Sequence, residues 1–224
     1  MKTKEPQYNF LHKLKKDKGL NQLGLMMNGV WENDPRRLVF VLSRYKFIAK
    51  MLEGQEDVLE VGCGDAWSSR LVKQTVKTLT VSDFDPVFIK DAKSRNNQKW
   101  QMNFLVHDMV KAPTEKKYDA IYSVDVLEHI EPKNESNFLS NICSSLNQNG
   151  IALIGIPSIE SQVYASPGSK EGHVNCKSGN KFKRRMAQYF KHVFLFSMND
   201  EVVHTGFDKM AHYLFTLNVG PKID

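Results

Sequence analysis

The sequence predicts an α/β domain built on a mostly parallel sheet with helices on both faces. Three observations carry this expectation. Short apolar strands alternate with helix-forming segments between residues 36 and 156, a glycine turn follows the first strand, and two aromatic strands lie nearest the C-terminus. From Arg36 to Leu52 the residues Leu38, Val39, Leu42, Tyr45, Ile48, Ala49 and Leu52 recur at intervals of three and four, as an amphipathic helix requires. Asp34-Pro35 supplies its cap and first-turn proline. Residues 57–61 form a short apolar strand that ends in Gly62-Cys63-Gly64, and residues 66–74 follow as a helix. The unit then repeats: a strand at 78–81 before Asp83, a helix at 86–93 opened by Pro86, and strands at 102–106 and 118–124. A helix at 134–146 and a strand at 150–156 complete it. Past a helix at 181–190, the strands 192–196 and 212–217 are joined by about 15 residues without a crossover helix, which favours an antiparallel pair at the end of the sheet.

The 224 residues suit one domain, and a 41% hydrophobic, 25% charged composition is that of an ordinary globular chain. No apolar run reaches the ~18 residues of a membrane span and no secretory signal is visible, so the expected location is the cytoplasm. Cys63, Cys143 and Cys176 are odd in number and widely spaced, which reads as reduced structural thiols. The net charge of +6 is uneven: residues 1–20 hold six lysines against two acids, and residues 177–191 hold six basic residues against none. Such runs could draw a phosphorylated substrate or nucleic acid, but a solvated helix face and a loose basic tail explain them equally simply. The organisation expected is an N-terminal basic tail and lid over residues 1–44, then a main domain over 45–224, with halves at 45–158 and 159–224.

In an open α/β sheet ligands bind beyond the carboxyl ends of the strands, and the first strand-to-helix turn lets backbone approach the ligand. Gly62 and Gly64 sit at that turn. A dinucleotide site would need a third glycine at position 67, where Trp67 stands. Asp83 lies 19 residues beyond Gly64 at the end of the second strand, where a carboxylate can accept both hydroxyls of an adenosine ribose. His107-Asp108-Met109 follows the third strand, and there a carboxylate can take an adenine amino group beside an apolar neighbour.

These segments, Val58 to Asp65, Val81-Ser82-Asp83, His107-Asp108 and Tyr118 to Ile130, resemble class I S-adenosylmethionine-dependent methyltransferases over about residues 45–158. The resemblance implies a Rossmann-like, seven-stranded, mostly parallel sheet with an antiparallel last strand, and S-adenosylmethionine as cofactor with S-adenosylhomocysteine as product. It implies that Glu60 and the turn Gly62, Cys63 and Gly64 face the methionine moiety, that Asp83 with neighbouring Phe84 holds the ribose end, and that Asp108 and Met109 hold the adenine. Ser123 and Val124 would floor the site below the sulfonium. Where many members carry a third glycine, this chain has Ala66 and then Trp67, which either covers the methionine end or packs beneath the N-terminal helix. Glu128-His129 reads as ordering the loop after the fourth strand.

Methyl transfer from a sulfonium needs alignment, exclusion of water and, for a hydroxyl acceptor, removal of a proton. The candidate bases are His173 and His204, in segments that should border the acceptor; a surface histidine or strand-end cap is the alternative for each. Asp200-Glu201-x-x-His204, with His212 nearby, fixes no third ligand by spacing, so no metal is expected. The aromatic residues of the last third read as core. The expected function is methylation of a hydroxyl on a small metabolite, saccharide or nucleotide sugar. RNA or DNA methylation, or nonenzymatic adenosylmethionine binding, are the alternatives. The sequence offers no reading of oligomeric state.

Overall fold

The computed structural model describes residues 2–222; Met1, Ile223 and Asp224, at the outer ends of the two expected segments, lie outside the described residues. Eight strands make one sheet: β1 (Asp57–Val61), β2 (Thr78–Asp83), β3 (Asn103–Val106), β4 (Tyr118–Val124), β5 (Leu146–Pro157), β6 (Phe190–Asn199), β7 (Val202–His204) and β8 (Tyr213–Pro221). Their spatial order is β3-β2-β1-β4-β5-β8-β6-β7. The first five are mutually parallel, and β8 runs antiparallel between β5 and β6. The expected antiparallel pair at the end of the sheet is therefore β6 with β8. The strand count is eight rather than seven because Val202–His204 folds back on Ser197–Asn199, through Asp200 in the left-handed region at φ 49°. That turn contains no glycine, so nothing in its composition announced a hairpin.

Among the described residues eight α-helices accompany the sheet: α1 (Asn9–Lys18), α2 (Leu25–Asn33), α3 (Arg36–Met51), α4 (Ser69–Lys73), α5 (Pro86–Ser94), α6 (Glu135–Ser144), α7 (Pro167–Gly172) and α8 (Gly179–Met186). Strand periodicity sorts the core into two layers. On one face Val58, Leu79, Val81, Ala120 and Tyr122 meet Tyr45 and Ile48 of α3, Val72 of α4 and Ile89 of α5. On the other, Leu59, Val61, Ile121, Ala152 and Ile154 meet Phe138 and Ile142 of α6 and Phe182 and Met186 of α8. Val58 and Leu59 are both fully buried, as adjacent residues of a strand covered on both sides must be.

Three helices are shorter than expected: α6 stops at Ser144 because β5 already begins at Leu146, and α4 and α8 are also cut back. α4 starts only at Ser69, because Ala66 adopts φ 52° and Asp65 Oδ1 accepts the Trp67 N–H at 3.0 Å, which makes a turn of residues 65–67. α8 stops at Met186, and β6 begins at Phe190. α3 runs without a break through Arg44. Before it, α1 buries none of its residues, whereas α2 is docked: the Met27 N–H donates to Asp65 Oδ2 at 2.8 Å. The basic stretch 177–191 is partly turned inward, since Lys177 Nζ and Arg185 Nε donate to the buried Glu135 carboxylate at 2.8 and 2.6 Å. Among the described residues no helix is long and apolar enough to cross a membrane. Cys63, Cys143 and Cys176 are unpaired thiols.

Candidate active site

The order of the strands reverses between β1 and β4, so the crevice beyond their carboxyl ends is where a ligand fits. The turn after β1 brings backbone there. Gly62 and Gly64 hold φ 76° and 51°, and a Cβ at either would overlap a neighbour, Val126 for Gly62 and Met26 Sδ for Gly64. The N–H groups of Gly62 and Cys63 donate to the Ser82 carbonyl at 2.8 and 2.9 Å, locking the turn to the end of β2. Asp83 continues that link: its Oδ2 accepts the Gly64 N–H at 2.9 Å and its Oδ1 the Asp85 N–H at 3.0 Å. Burial pushes the Asp83 carboxyl above its ordinary range, and the amide donors oppose this.

A cavity of about 630 Å³ opens beside this turn, a volume suited to a small ligand. Of the expected cofactor residues, Gly62, Gly64, Asp83, Phe84, Asp108 and Met109 form its wall. Asp108 is set by its own turn, Oδ1 accepting the Val110 N–H at 3.0 Å. The glycine cradle, two carboxylates on successive strand ends and an apolar Phe84 and Met109 between them fit an adenosyl group with an amino-acid tail.

Glu60, Cys63, Trp67, Ser123 and Val124 are not in that wall. Glu60 shares a strand face with Val58, so its carboxylate points beneath α3 and accepts the hydroxyls of Tyr45 and Tyr122 at 2.6 and 2.7 Å. Burial raises its pKa to about 7. The Cys63 thiol donates to the Gly64 carbonyl at 3.4 Å, and burial raises its pKa. Trp67 is half-buried, Ser123 Oγ donates to the Val61 carbonyl at 3.0 Å, and Val124 is core.

The wall also contains residues that sequence reasoning did not assign to it, among them Met26, Asp125 and His129. Asp125 is held at φ 57° and accepts the Arg44 guanidinium at 2.6 Å, while Arg44 stacks 3.9 Å from the centre of the Tyr213 ring. The run Tyr118 to Ile130 already carried Asp125 and His129, but Met26 and Arg44 stand in a stretch without any motif.

The two candidate bases lie apart. The His173 ring packs edge-on against His129, 5.1 Å between centres, at the border of the cavity. Burial and the neighbouring His129 lower its pKa. His204 lies in the β6–β7 hairpin with both nitrogens engaged: Nδ1 accepts the Gly206 N–H at 2.9 Å and Nε2 meets Asn199 Oδ1 at 2.9 Å.

Residues 58–150 match the family model of a methyltransferase domain. Malonyl-[acyl-carrier protein] O-methyltransferase 1 of Ilyobacter polytropus is 29% identical over 98 residues, 43% of this chain and 36% of that protein. Ubiquinone biosynthesis O-methyltransferase of Rickettsia canadensis is 26% identical over 126 residues, 54% of this chain and 50% of that protein. The chain thus spans about half the length, or less, of these curated relatives. The N-methyltransferase NodS from Bradyrhizobium japonicum WM9, solved in complex with S-adenosyl-L-homocysteine, shares the fold at a TM-score of 0.61 and 17% identity, over 86% of this chain and 91% of that one. Residues 58–150 therefore carry a methyltransferase domain, by the family model they match, on the eight-stranded sheet whose fold NodS shares.

Proposed function

We propose that the protein transfers the methyl group of S-adenosylmethionine to a hydroxyl on a small metabolite, saccharide or nucleotide sugar. The observation that carries this reading is the convergence of Gly62, Gly64, Asp83 and Asp108 on one cavity at the strand ends. Asp83 would accept the ribose hydroxyls, Asp108 the adenine amine, and Phe84 and Met109 would flank the ring. Bound there, the cofactor supplies a methyl group already activated as a sulfonium, so the chain's task is alignment and exclusion of water. An oxygen acceptor is supported by the names of the two curated relatives, both O-methyltransferases. Residues 1–44 would serve as tail and lid, a role supported by Met26 in the cavity wall.

On the acceptor side His173 is the better placed histidine. Its Nδ1 lies 2.8 Å from Gln162 Oε1, an acceptor, so the proton sits on Nδ1 and Nε2 keeps its lone pair. Burial and the neighbouring His129 favour its neutral form, which leaves the Nε2 lone pair available to a proton or to a cation.

Calorimetry with S-adenosylhomocysteine tests the cofactor site. Asp83→Ala should lose about 2 to 3 kcal/mol of binding through its hydrogen bonds to the ribose. A protein that binds NAD and ignores adenosylhomocysteine would overturn the reading. A methyl-transfer screen over sugars, nucleotide sugars, quinol precursors and RNA identifies the acceptor class; turnover confined to RNA would replace the hydroxyl metabolite with nucleic acid.

A further inference from the structure

Glu128 and His129 sit on the single turn Leu127–His129 that follows β4, and His173 caps the end of α7. One donor atom from each of the three lies within 4.8 Å of the others. Glu128 is buried, His173 half-buried and His129 exposed, and the hydrogen bonds of the two imidazoles leave them disposed as ligands. His129 Nδ1 is 2.8 Å from the Gly172 carbonyl, and His173 Nδ1 is 2.8 Å from Gln162 Oε1. Both partners are acceptor oxygens, so each Nδ1 carries the proton and each Nε2 is left with its lone pair, the arrangement by which an outer partner orients a metal-binding imidazole. Glu128 is 1% exposed, and its Oε2 is buried with no hydrogen-bond partner. A buried carboxylate oxygen left without a partner costs free energy, and a bound ion is one of the few remedies. Arg44 attracts the Glu128 carboxylate from nearby, but its hydrogen bond goes to Asp125 and none reaches Glu128 Oε2.

We propose that Glu128, His129 and His173 form a site for a divalent first-row transition ion on the acceptor side of the cavity. Two imidazoles and one carboxylate suit Mn²⁺, Fe²⁺, Co²⁺ or Zn²⁺, whereas Mg²⁺ and Ca²⁺ favour oxygen ligands. Three protein ligands leave coordination positions open, and His129, being in the cavity wall, turns the site toward the space an acceptor would occupy. The role of the ion, unlike the site itself, rests on the methyl-transfer reading. An acceptor hydroxyl coordinated there loses its proton to solvent near neutral pH. Its oxygen then forms the bond to the methyl carbon as the carbon–sulfur bond breaks, the electron pair staying on sulfur. His173 then acts as a ligand and not as the proton acceptor.

Titration of the full chain with Co²⁺, followed by visible absorption and calorimetry, tests the site. The expected result is one Co²⁺ per chain with ligand-field bands, weakened at least about tenfold in Glu128→Gln and in His173→Gln. Both variants should bind S-adenosylhomocysteine as the wild type does, which shows that they are folded. No stoichiometric Co²⁺ binding, or equal affinity in the wild type and both variants, overturns the proposal. Co²⁺ binding that depends on these residues in a protein that ignores S-adenosylhomocysteine would uphold the ion site and overturn methyl transfer.

Discussion

Glu60 is a carboxylate that the fold keeps from water, bonded by the hydroxyls of Tyr45 and Tyr122. Its pKa is about 7 in the folded protein against 4.5 in an open chain, so the folded state takes up its proton first. The stabilisation this gives is complete below pH 4.5 and is lost as the pH rises through about 7. Glu60→Gln removes the titration. Relative to the wild type, the variant should gain about 2 to 3 kcal/mol of stability between pH 5 and pH 9 in urea denaturation, and parallel pH profiles would refute the assignment. Glu60 also marks the limit of what a motif says about a residue. Gly62, Gly64, Asp83 and Asp108 were legible because turns at strand ends must face the crevice, whatever the side chain. Glu60 and Ser123 lie within strands, where the alternation of faces decides, and that alternation turns Glu60 toward Tyr45. Arg44 and Met26 reach the site from a part of the chain whose local pattern carries no chemistry, so only the tertiary fold reveals them.

Neighbouring helices do different things at the level of elements. α1 carries Lys13, Lys15, Lys16 and Lys18 and buries nothing, while α2 binds the turn at Asp65 and lends Met26 to the cavity. A chain lacking residues 2–19 should therefore melt within about 1 to 2 °C of the full chain and bind S-adenosylhomocysteine equally, since exposed segments contribute little to stability. Removal through Asn33 should lower that affinity; an unchanged affinity would show that α2 plays no part in the site. Between α6 and α8, Glu135 accepts from Lys177, Asn175 and Arg185. Burial alone would push its pKa up, but these donors hold it below the usual range. Glu135→Gln should cost about 3 kcal/mol at pH 7, because it leaves two cations without a counter-charge. The cost should shrink in acid, where the wild-type carboxylate protonates and loses the same bonds. A pH-independent cost would mean that packing, not charge, holds the two helices. The strands other than β7, and helices α3, α5, α6 and α8, were legible from periodicity, whereas α1 and α2 lie in a stretch read only as tail and lid. β7 and the late start of α4 were not legible, because each depends on a non-glycine residue held at positive φ, Asp200 and Ala66, which composition does not signal.

For the whole molecule, the division near residue 158 separates two halves of sequence but not two bodies. β5 ends at Pro157 and pairs along seven residues with β8, so the cofactor half and the acceptor half share one sheet and two continuous core layers. Unfolding should accordingly be a single transition, with coincident midpoints by far-UV and near-UV circular dichroism and by loss of S-adenosylhomocysteine binding. Two separated midpoints would show that the halves fold independently. The position of β8 also sets a schedule for folding during synthesis. It is translated after every other described strand, yet it lies inside the sheet, with β5 on one side and β6 on the other. Until Tyr213–Pro221 has left the ribosome, β5 and β6 each present an unsatisfied edge, and β6 bears the aromatic side chains Phe194 and Phe196. A nascent chain paused before Tyr213 is thus a strand acceptor twice over, open to insertion by a neighbouring chain and a natural client for a chaperone at the tunnel exit.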